Sequence, residues 1–224
     1  VMVCNPITAE LDEMRPSVLV NLLLGVKNNI ARGYGNVSLF EVGPEFYGVK
    51  PGEQKLVACG IRKVQTSKKH WLNSDRQFDV FDAKADALAV IAAANGPYDS
   101  VRISLDAPSY YHPGRSGALR LGANVVAYFG EVHPMILKQF GIKQRVVAFE
   151  VYIDNIPLPR VNQDKAKKKL ELSQFQPVDK DMAFIVDKEI TSGSIIDQIK
   201  KTGGKLLTNG EPDYNDESAA PRTA

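Results

Sequence analysis

Residues 17–32 read SVLVNLLLGVKNNIAR, and they form the first strong element of the chain. Apolar residues recur there at steps of three and four, which predicts a helix with an apolar face. Ser17 suits the start of this helix, because its hydroxyl can accept hydrogen bonds from free N–H groups of the first turn. Gly33 and Gly35 end it. The recurring apolar residues are Val18, Leu19, Leu22, Leu23, Val26 and Ile30.

Two further apolar residues, Val20 and Leu24, lie off this main stripe. A helix that is apolar on more than one side is usually buried from two directions. Two interpretations stay open on this pattern. The helix is either a central core helix, or a helix that packs on its own sheet and on another subunit.

Short β-rich runs joined by tight turns surround this helix in sequence, and short turns favour antiparallel pairing. Residues 146–153 are almost continuously apolar, which is typical of the centre of a sheet. Helices are predicted over 83–95, with Asp82 as the cap, and over 134–140. The fold class is therefore α+β, with an antiparallel sheet flanked by helices. The predicted strands are 37–42 with a continuation at 46–47, 54–61, 101–105, 118–121, 125–130 and 146–153.

The composition changes after this region. Two prolines and the basic run 165–169 indicate an exposed connector, for which nucleic-acid contact is the alternative. A strand over 181–187, a helix over 191–202 and a strand over 205–208 follow, which is a β-α-β opening. We expect residues 210–224 to be frayed. The predicted organisation is a first domain at 1–156, a linker at 157–174 and a further segment at 175–224.

The composition bounds the kind of protein. The 224 residues are 44 % hydrophobic, enough to bury a core, and their net charge of +2 argues against a strongly basic nucleic-acid binder. A local basic surface is still compatible with that balance. Cys4 and Cys59 are far apart and the three histidines stand alone, so neither a disulfide framework nor a zinc site is predicted, and a reducing cytosol fits best. No apolar run is long enough for a membrane span. Residues 1–5 do not resemble a signal peptide, and we expect them to follow a cut in a longer chain.

Four groups of residues, in this order and spacing, resemble the β chain of bacterial phenylalanyl-tRNA synthetase. The resemblance extends over about residues 5–208. Each group alone is a weak signal, whereas the ordered set is a strong one. The groups are NPI at 5–7 with MRPSVL at 14–19 and NNIARG at 28–33; LFEVG at 39–43; FDAK at 81–84; and YHPGRS at 111–116 with FGEVHP at 129–134.

The resemblance implies a fold for each part. Residues 1–156 correspond to a class II aminoacyl-tRNA synthetase-like antiparallel sheet flanked by helices. The segment from residue 175 resembles the start of a ferredoxin-fold anticodon-binding domain. The family's domain has two more strands and another helix, so we expect a truncated, ferredoxin-like β-α-β segment here. The residues that match it are Pro177, Lys180, Asp181, Ala183 and Phe184.

Class II chemistry needs an arginine against the α-phosphate of ATP and carboxylates that hold magnesium. Neither the Arg-x-Glu strand pair nor the glycine-rich turn ending in arginine is present, and no P-loop or dinucleotide loop is found. We therefore predict no catalytic, cofactor-binding or metal-binding residues in this chain. ATP and magnesium would be used by the holoenzyme, through its α subunit.

The resemblance also implies a role. The helix at 17–32 corresponds to the dimerisation element of class II synthetases, which packs in a helical bundle at the centre of an α2β2 assembly. Its apolar stripe, Val18 to Ile30, is the predicted partner interface. The chain would support the α subunit in the ATP-dependent attachment of phenylalanine to tRNA(Phe), in the cytoplasm and away from membranes. The alternative is a free-standing synthetase-like paralogue, a regulatory or binding module in which the helix makes a homodimer.

A few polar residues leave two interpretations each. His112 and Arg115 are either phosphate or tRNA contacts, since arginine grips phosphate with two N–H groups, or a structural turn with Arg115 paired to a carboxylate such as Glu131. Arg15 either bonds carbonyl groups near a partner interface or lies on the surface. His133 is expected to pack or to cap a helix. The least favoured hypothesis is an enzyme that uses Glu41, Asp79 or Asp82 as acid or base.

Overall fold

The computed structural model describes residues 1–8, 12–63, 77–157, 176, 178–187, 189–204 and 207. The chain divides into two compact units, Val1–Lys165 and Ala166–Ala224. The three-part domain boundaries that the sequence suggests stay a prediction. Among the described residues, no helix combines the length and the hydropathy that a bilayer crossing requires.

The first unit is built on a six-stranded antiparallel sheet, which confirms the predicted α+β class. In chain order its elements are α1 Val18–Ala31, β1 Ser38–Phe46, β2 Gln54–Lys63, α2 Val80–Ala93, β3 Arg102–Ser104, β4 Tyr111–Leu121, β5 Asn124–Val132, α3 Pro134–Gln139 and β6 Val146–Tyr152. The strand order across the sheet is β1-β2-β6-β5-β4-β3.

Strand β6 lies inside the sheet between β2 and β5, as its apolar run predicts. Six of its seven residues are buried, because both faces of this strand are covered. Strand β1 forms one edge and continues through Pro44, which pairs with Leu56 in an unbroken register. Proline lacks the N–H of a ladder, and an edge strand tolerates that loss.

The two long helices pack on opposite faces of this sheet. Helix α1 lies against β1 and β2, and α2 lies against β5, β6 and β2. Gly25 lets α1 approach closely, because a Cβ there would come within 2.8 Å of Leu39 Cδ1. Neighbouring residues of β6 therefore alternate between the two cores: Ala148 packs in the α1 core, and Phe149 packs in the α2 core.

The predicted cap of α2 is wrong by three residues. Asp79 is the N-cap, and its carboxylate accepts from the N–H groups of Phe81 and Asp82. Asp82 instead reaches back to the N–H of Asp79 at 2.8 Å. The two carboxylates form a reciprocal capping box, so an aspartate at the third helical position was mistaken for the cap itself.

The turn that was predicted as one interpretation of residues 112–114 is also wrong. These residues belong to β4, within an irregular stretch where the register with β5 shifts between Tyr111 and Ser116. Proline and glycine do not end the strand because the irregularity absorbs them and pairing resumes at Ser116 opposite Gly130.

In the second unit, α4 Ser192–Gly203 is capped by Thr191 and ended by Gly204, which confirms the predicted helix. The predicted strand over 181–187 is wrong, since these residues have no regular structure and pair with no described strand. A β-rich segment becomes a strand only when a neighbour takes its hydrogen bonds. The predicted strand at 205–208 falls outside the described residues except for Leu207, and residues 210–224 fall wholly outside them.

Candidate functional site

The apolar stripe of α1 faces the sheet of its own chain. Five of the six residues predicted for a partner interface are almost fully buried in the α1 core, and Ile30 packs partly against it. Side chains covered by their own sheet are not free to contact a partner. The interface role of α1 stays a prediction, and these residues do not provide its surface. The five buried residues are Val18, Leu19, Leu22, Leu23 and Val26.

The exposed apolar residues of α1 are the two that lie off the main stripe. Val20 is 39 % exposed and Leu24 is 44 % exposed, and they are one helical turn apart on the face turned away from the sheet. Asn21, Lys27 and Asn28 share this exposed side of the helix. Any partner that touches α1 in this unit meets Val20 and Leu24 first.

The start of α1 is anchored by a buried carboxylate on β6. Ser17 caps the helix by accepting from the N–H of Leu19, and its own hydroxyl donates to Glu150 Oε1 at 2.9 Å. Glu150 is 1 % exposed. The cap therefore connects the first turn of α1 to the middle of the sheet.

Two tyrosines at the start of β4 complete the surroundings of Glu150. The hydroxyls of Tyr110 and Tyr111 donate to Glu150 Oε2 at 2.8 and 3.1 Å. Burial raises the pKa of the Glu150 carboxyl, and the nearby Glu45 carboxylate adds to the rise, while the hydroxyl donors act against it. Burial is the largest cause that raises the pKa of both tyrosines, and the charge of Glu150 is the second. The hydroxyls therefore stay protonated and act as donors.

A second buried carboxylate, Glu45 of β1, binds the backbone of the same helix. Its Oε1 accepts from the N–H of Val18 at 3.0 Å, and its Oε2 accepts from the hydroxyl of Tyr47 at 2.6 Å. A carboxylate at this place also interacts favourably with the positive end of the helix dipole. Together with Glu150 it forms what we call the acidic network: Ser17, Glu45, Tyr47, Tyr110, Tyr111 and Glu150.

Arg15, which precedes α1, contacts the edge strand β1 through its side chain. Its guanidinium forms an ion pair with Glu41, and Nε donates to the carbonyl oxygen of Pro44 at 2.9 Å. The chain before α1 is fastened to the edge strand in this way, since the N–H of Phe46 also donates to the carbonyl of Arg15. Glu41 is thereby engaged as an ion-pair partner.

His112 and Arg115 lie together on β4. Arg115 Nε is 3.3 Å from Glu131 Oε2, so the arginine pairs with the carboxylate that the sequence singled out. Arg145, which precedes β6, pairs with the other oxygen of Glu131 at 3.3 Å. Whether Arg15, His112 or Arg115 touches RNA stays a prediction.

The remaining polar candidates have structural partners. His133 caps α3 by accepting from the N–H of Met135 at 3.2 Å, which confirms the capping prediction. Asp79 and Asp82 make the capping box of α2. In the described part of the chain, no three residues among His, Cys, Asp and Glu group closely enough to hold a metal ion. Cys59 is buried, and this burial is the main reason that the pKa of its thiol lies well above the usual value.

Sequence reasoning missed Glu45, Glu150, Tyr110 and Arg145. Glu150 carried a readable signal, because it is the single charged residue in the apolar run VVAFEVY, and a charge in a sheet centre needs partners. The other three carried none. Their significance arises from contacts with residues 27, 40 and 14 positions away along the chain, respectively.

Comparison with known proteins supplies the family. Residues 1–153 match the model described as phenylalanyl tRNA synthetase beta chain CLM domain. The phenylalanine–tRNA ligase beta subunit of Rhodospirillum rubrum is 45 % identical over 208 residues, which is 93 % of this chain and 26 % of that protein. That of Bradyrhizobium diazoefficiens is 43 % identical over 211 residues, 92 % of this chain and 26 % of that protein.

The chain spans about a quarter of the length of these curated relatives. Among solved structures, the pyrrolysyl-tRNA synthetase of Desulfitobacterium hafniense superposes on 62 % of this chain and 47 % of its own, with a TM-score of 0.45 and 11 % identity. The family match covers most of the chain and confirms the resemblance of the four residue groups. The chain belongs to the phenylalanyl-tRNA synthetase β-chain family, in its CLM domain.

Proposed function

We propose that this chain is the synthetase-like, non-catalytic part of a phenylalanine–tRNA ligase β subunit. It supports an α subunit in the ATP-dependent attachment of phenylalanine to tRNA(Phe), in the cytoplasm and within an α2β2 assembly. Its sheet is a class II synthetase-like sheet. The match of residues 1–153 to the β-chain family carries this proposal.

The packing of the sheet supports a non-catalytic role. A catalytic sheet needs an open face for ATP, whereas here α1 packs on β1 and β2 from one side and α2 packs on β2, β5 and β6 from the other. The side chains of β6 fill the middle: Ala148 points into the α1 core, and Val147 and Phe149 into the α2 core. These apolar residues do not fit ATP or a magnesium ion, so the proposal assigns the binding of both to the α subunit.

The exposed face of α1 is the surface that the proposal offers to the α subunit. Val20 and Leu24 give it an apolar centre, and Asn21 and Lys27 give it a polar rim. An apolar centre within a polar rim is the usual anatomy of a protein interface. The buried stripe of the same helix supplies the rigidity that holds these two side chains in place.

Co-expression with the α subunit tests the interface. The protein that carries this chain is expressed with its companion, either unchanged or with Val20→Asp and Leu24→Asp together. We expect the double variant to lose the companion on affinity purification, because two charges would be buried at the contact. Phe81→Asp is the matched control, since Phe81 is 68 % exposed on α2, on the opposite face of the sheet. If the α1 double variant still co-purifies with the companion subunit, this face of α1 is not the interface.

Phenylalanine-dependent exchange of pyrophosphate into ATP tests the non-catalytic role. We expect no exchange from the protein that carries this chain alone, and full exchange once the α subunit is added. Exchange by the protein alone at the rate of the complex would contradict the proposal.

A further inference from the structure

Two exposed arginines share one buried carboxylate at the end of the sheet where β6 begins. Arg115 and Arg145 each lie 3.3 Å from a different oxygen of Glu131. The Glu131 side chain is 7 % exposed, whereas the two arginine side chains are 47 % and 52 % exposed. One carboxylate balances only one guanidinium, so the described residues of this group carry one excess positive charge that faces solvent.

Both arginines are held in position by further contacts. Arg145 Nη2 donates to Gln77 Oε1 at 2.7 Å, while its Nη1 donates to Glu131, so two contacts orient the guanidinium. Arg115 Nη2 lies 3.0 Å from His112 Nε2. A guanidinium that is already oriented loses less conformational entropy when it binds a ligand than a free side chain does.

His112 reveals a surplus of hydrogen-bond donors. Its Nδ1 accepts from the N–H of Gly114 at 3.1 Å, while its Nε2 faces the permanently protonated Arg115. A neutral imidazole has one acceptor nitrogen and one N–H group, so it can satisfy only one of these two donors. A protonated imidazole satisfies neither. Among the residues that the structure describes, the site therefore has more hydrogen-bond donors than acceptors.

We infer that the arginine cluster, which is His112, Arg115, Glu131 and Arg145, binds a phosphate group of an RNA backbone through its two guanidinium groups. A phosphate offers the acceptor oxygens that the surplus donors need, and guanidinium forks match it with paired hydrogen bonds. The arginines are half-exposed on a strand surface, which suits an extended polyanion that lies along the protein. Lys143, exposed two residues before Arg145, extends the positive charge. The identity of the RNA as tRNA rests on the proposed function.

The cluster combines residues from three strands or their flanks; the sequence singles out His112 and Arg115, with Glu131 as the partner of Arg115. Glu131 acts as a positioning residue, because it contacts the two arginines from beneath and is too buried to meet the ligand. Arg145 is the residue that the structure adds. Removing either arginine leaves the other one balanced by Glu131, so each single variant should weaken the attraction for an anion.

The first experiment measures tRNA binding by the protein that carries this chain in complex with its companion subunit, over a series of salt concentrations. We expect Arg115→Gln and Arg145→Gln each to weaken binding roughly five- to tenfold and to lower the salt slope by about one unit. The KM for tRNA should rise while kcat is unchanged. Arg120→Gln is the matched control, because Arg120 also lies on β4 but its guanidinium is paired with Asp106. Unchanged affinity and slope in both variants overturn the inference.

The second experiment needs neither RNA nor companion. Inorganic phosphate should raise the melting temperature of the protein that carries this chain above that in chloride of equal ionic strength, and Arg145→Gln should remove this rise. If phosphate stabilises the protein but tRNA affinity is unchanged in the variants, the cluster is a small-anion site and the RNA assignment is overturned. If the companion does not bind, the proposed function fails, and the phosphate response still decides the cluster.

Arg145→Lys protects both tests against a folding defect. Lysine keeps a positive charge beside Glu131 but lacks the planar guanidinium fork. We therefore expect a tRNA affinity between those of the wild type and Arg145→Gln. Equal loss of thermal stability and no change in affinity across all arginine variants would assign the cluster to structure alone and overturn the inference.

Discussion

The two faces of the sheet are covered by helices of equal length, yet their cores differ in chemistry. The hydrophobic cluster under α2 has Ile91 and Phe149 among its largest residues, and the charged groups on this face, Glu131 and the pair Arg62–Asp86, are matched with groups of opposite charge. Under α1, an apolar cluster of similar size surrounds two buried carboxylates, Glu45 and Glu150. Alternation along β6 separates the two environments within one residue, since Glu150 lies on the α1 side and Val151 on the α2 side.

The difference teaches how a carboxylate is tolerated in a sheet centre. Neither Glu45 nor Glu150 has a cation among its hydrogen-bond partners in the described part of the chain. Hydroxyl groups and the start of α1 supply the donors instead. The α1 face thereby ties its helix to the sheet through buried carboxylates that accept from hydroxyl and N–H groups, whereas on the α2 face the Arg62 guanidinium of β2 donates to the Asp86 carboxylate of the helix as an ion pair.

Truncation of one apolar side chain on each face gives the largest expected effect. Leu23 is 1 % exposed under α1 and Ile91 is fully buried under α2. We expect Leu23→Ala and Ile91→Ala each to lower the free energy of unfolding by about 3 kcal/mol, because both lose buried area and leave a cavity. Urea unfolding of the chain measures it. A cost under ~1 kcal/mol on one face alone would break the view that the faces differ only in their polar groups.

The two helix caps sharpen the comparison. Ser17 caps α1 and also donates to buried Glu150, whereas Asp79 caps α2 at the rim of its face. We expect Ser17→Ala to cost about 2 kcal/mol and Asp79→Ala about 1 kcal/mol, since only the first also leaves a buried carboxylate short of a donor. Ser17→Thr keeps the hydroxyl and is the control. Equal costs for the two alanine variants would remove the special role of the acidic network.

The pH dependence of stability should come from the α1 face. Burial raises the pKa of Glu150 above its ordinary 4.5, so the folded state holds this proton to higher pH than the unfolded state does. Its contribution is therefore fully present below pH 4.5 and is lost as the pH rises through the folded pKa. Glu45, Tyr110, Tyr111 and Ser17 face the carboxyl and remain in place in Glu150→Gln. We expect Glu150→Gln to remove this loss when the free energy of unfolding in urea is measured from pH 4 upward. An equal dependence of that free energy on pH in both proteins would contradict the prediction.

The smallest effect is expected on the outer face of α1. Val20 and Leu24 are about two-fifths exposed, so Val20→Ser and Leu24→Ser should each change the free energy of unfolding by no more than about 0.5 kcal/mol. Leu23→Ala, at the neighbouring position, is the internal reference. A cost above ~1 kcal/mol at Leu24 would show that this face is already buried within the chain and would withdraw it as a partner surface.

The sequence predicted the long helices and the central strand because periodicity and apolar runs report burial directly. It failed where the outcome depends on a partner. Asp82 is a residue type that often caps helices, but only its reciprocal bond to Asp79 reveals which aspartate is the cap. Residues 181–187 have the composition of a strand, but pairing decides whether a strand forms. The stripe of α1 is confirmed as buried, but the sequence pattern does not say whether the chain's own sheet or a partner covers it.

The sequence by itself determined the family, the α+β class and the apolar stripe of α1, because each is written in local composition or in the order of short motifs. Tertiary structure alone decided what that stripe touches, since burial is a property of two surfaces brought together. It turned residues 17–32 inward onto their own sheet and left Val20 and Leu24 outside. It also joined Ser17 to Glu150 across 133 positions, and Arg115 to Arg145 through Glu131. Such contacts depend on the three-dimensional path of the chain, which spacing along the sequence does not encode.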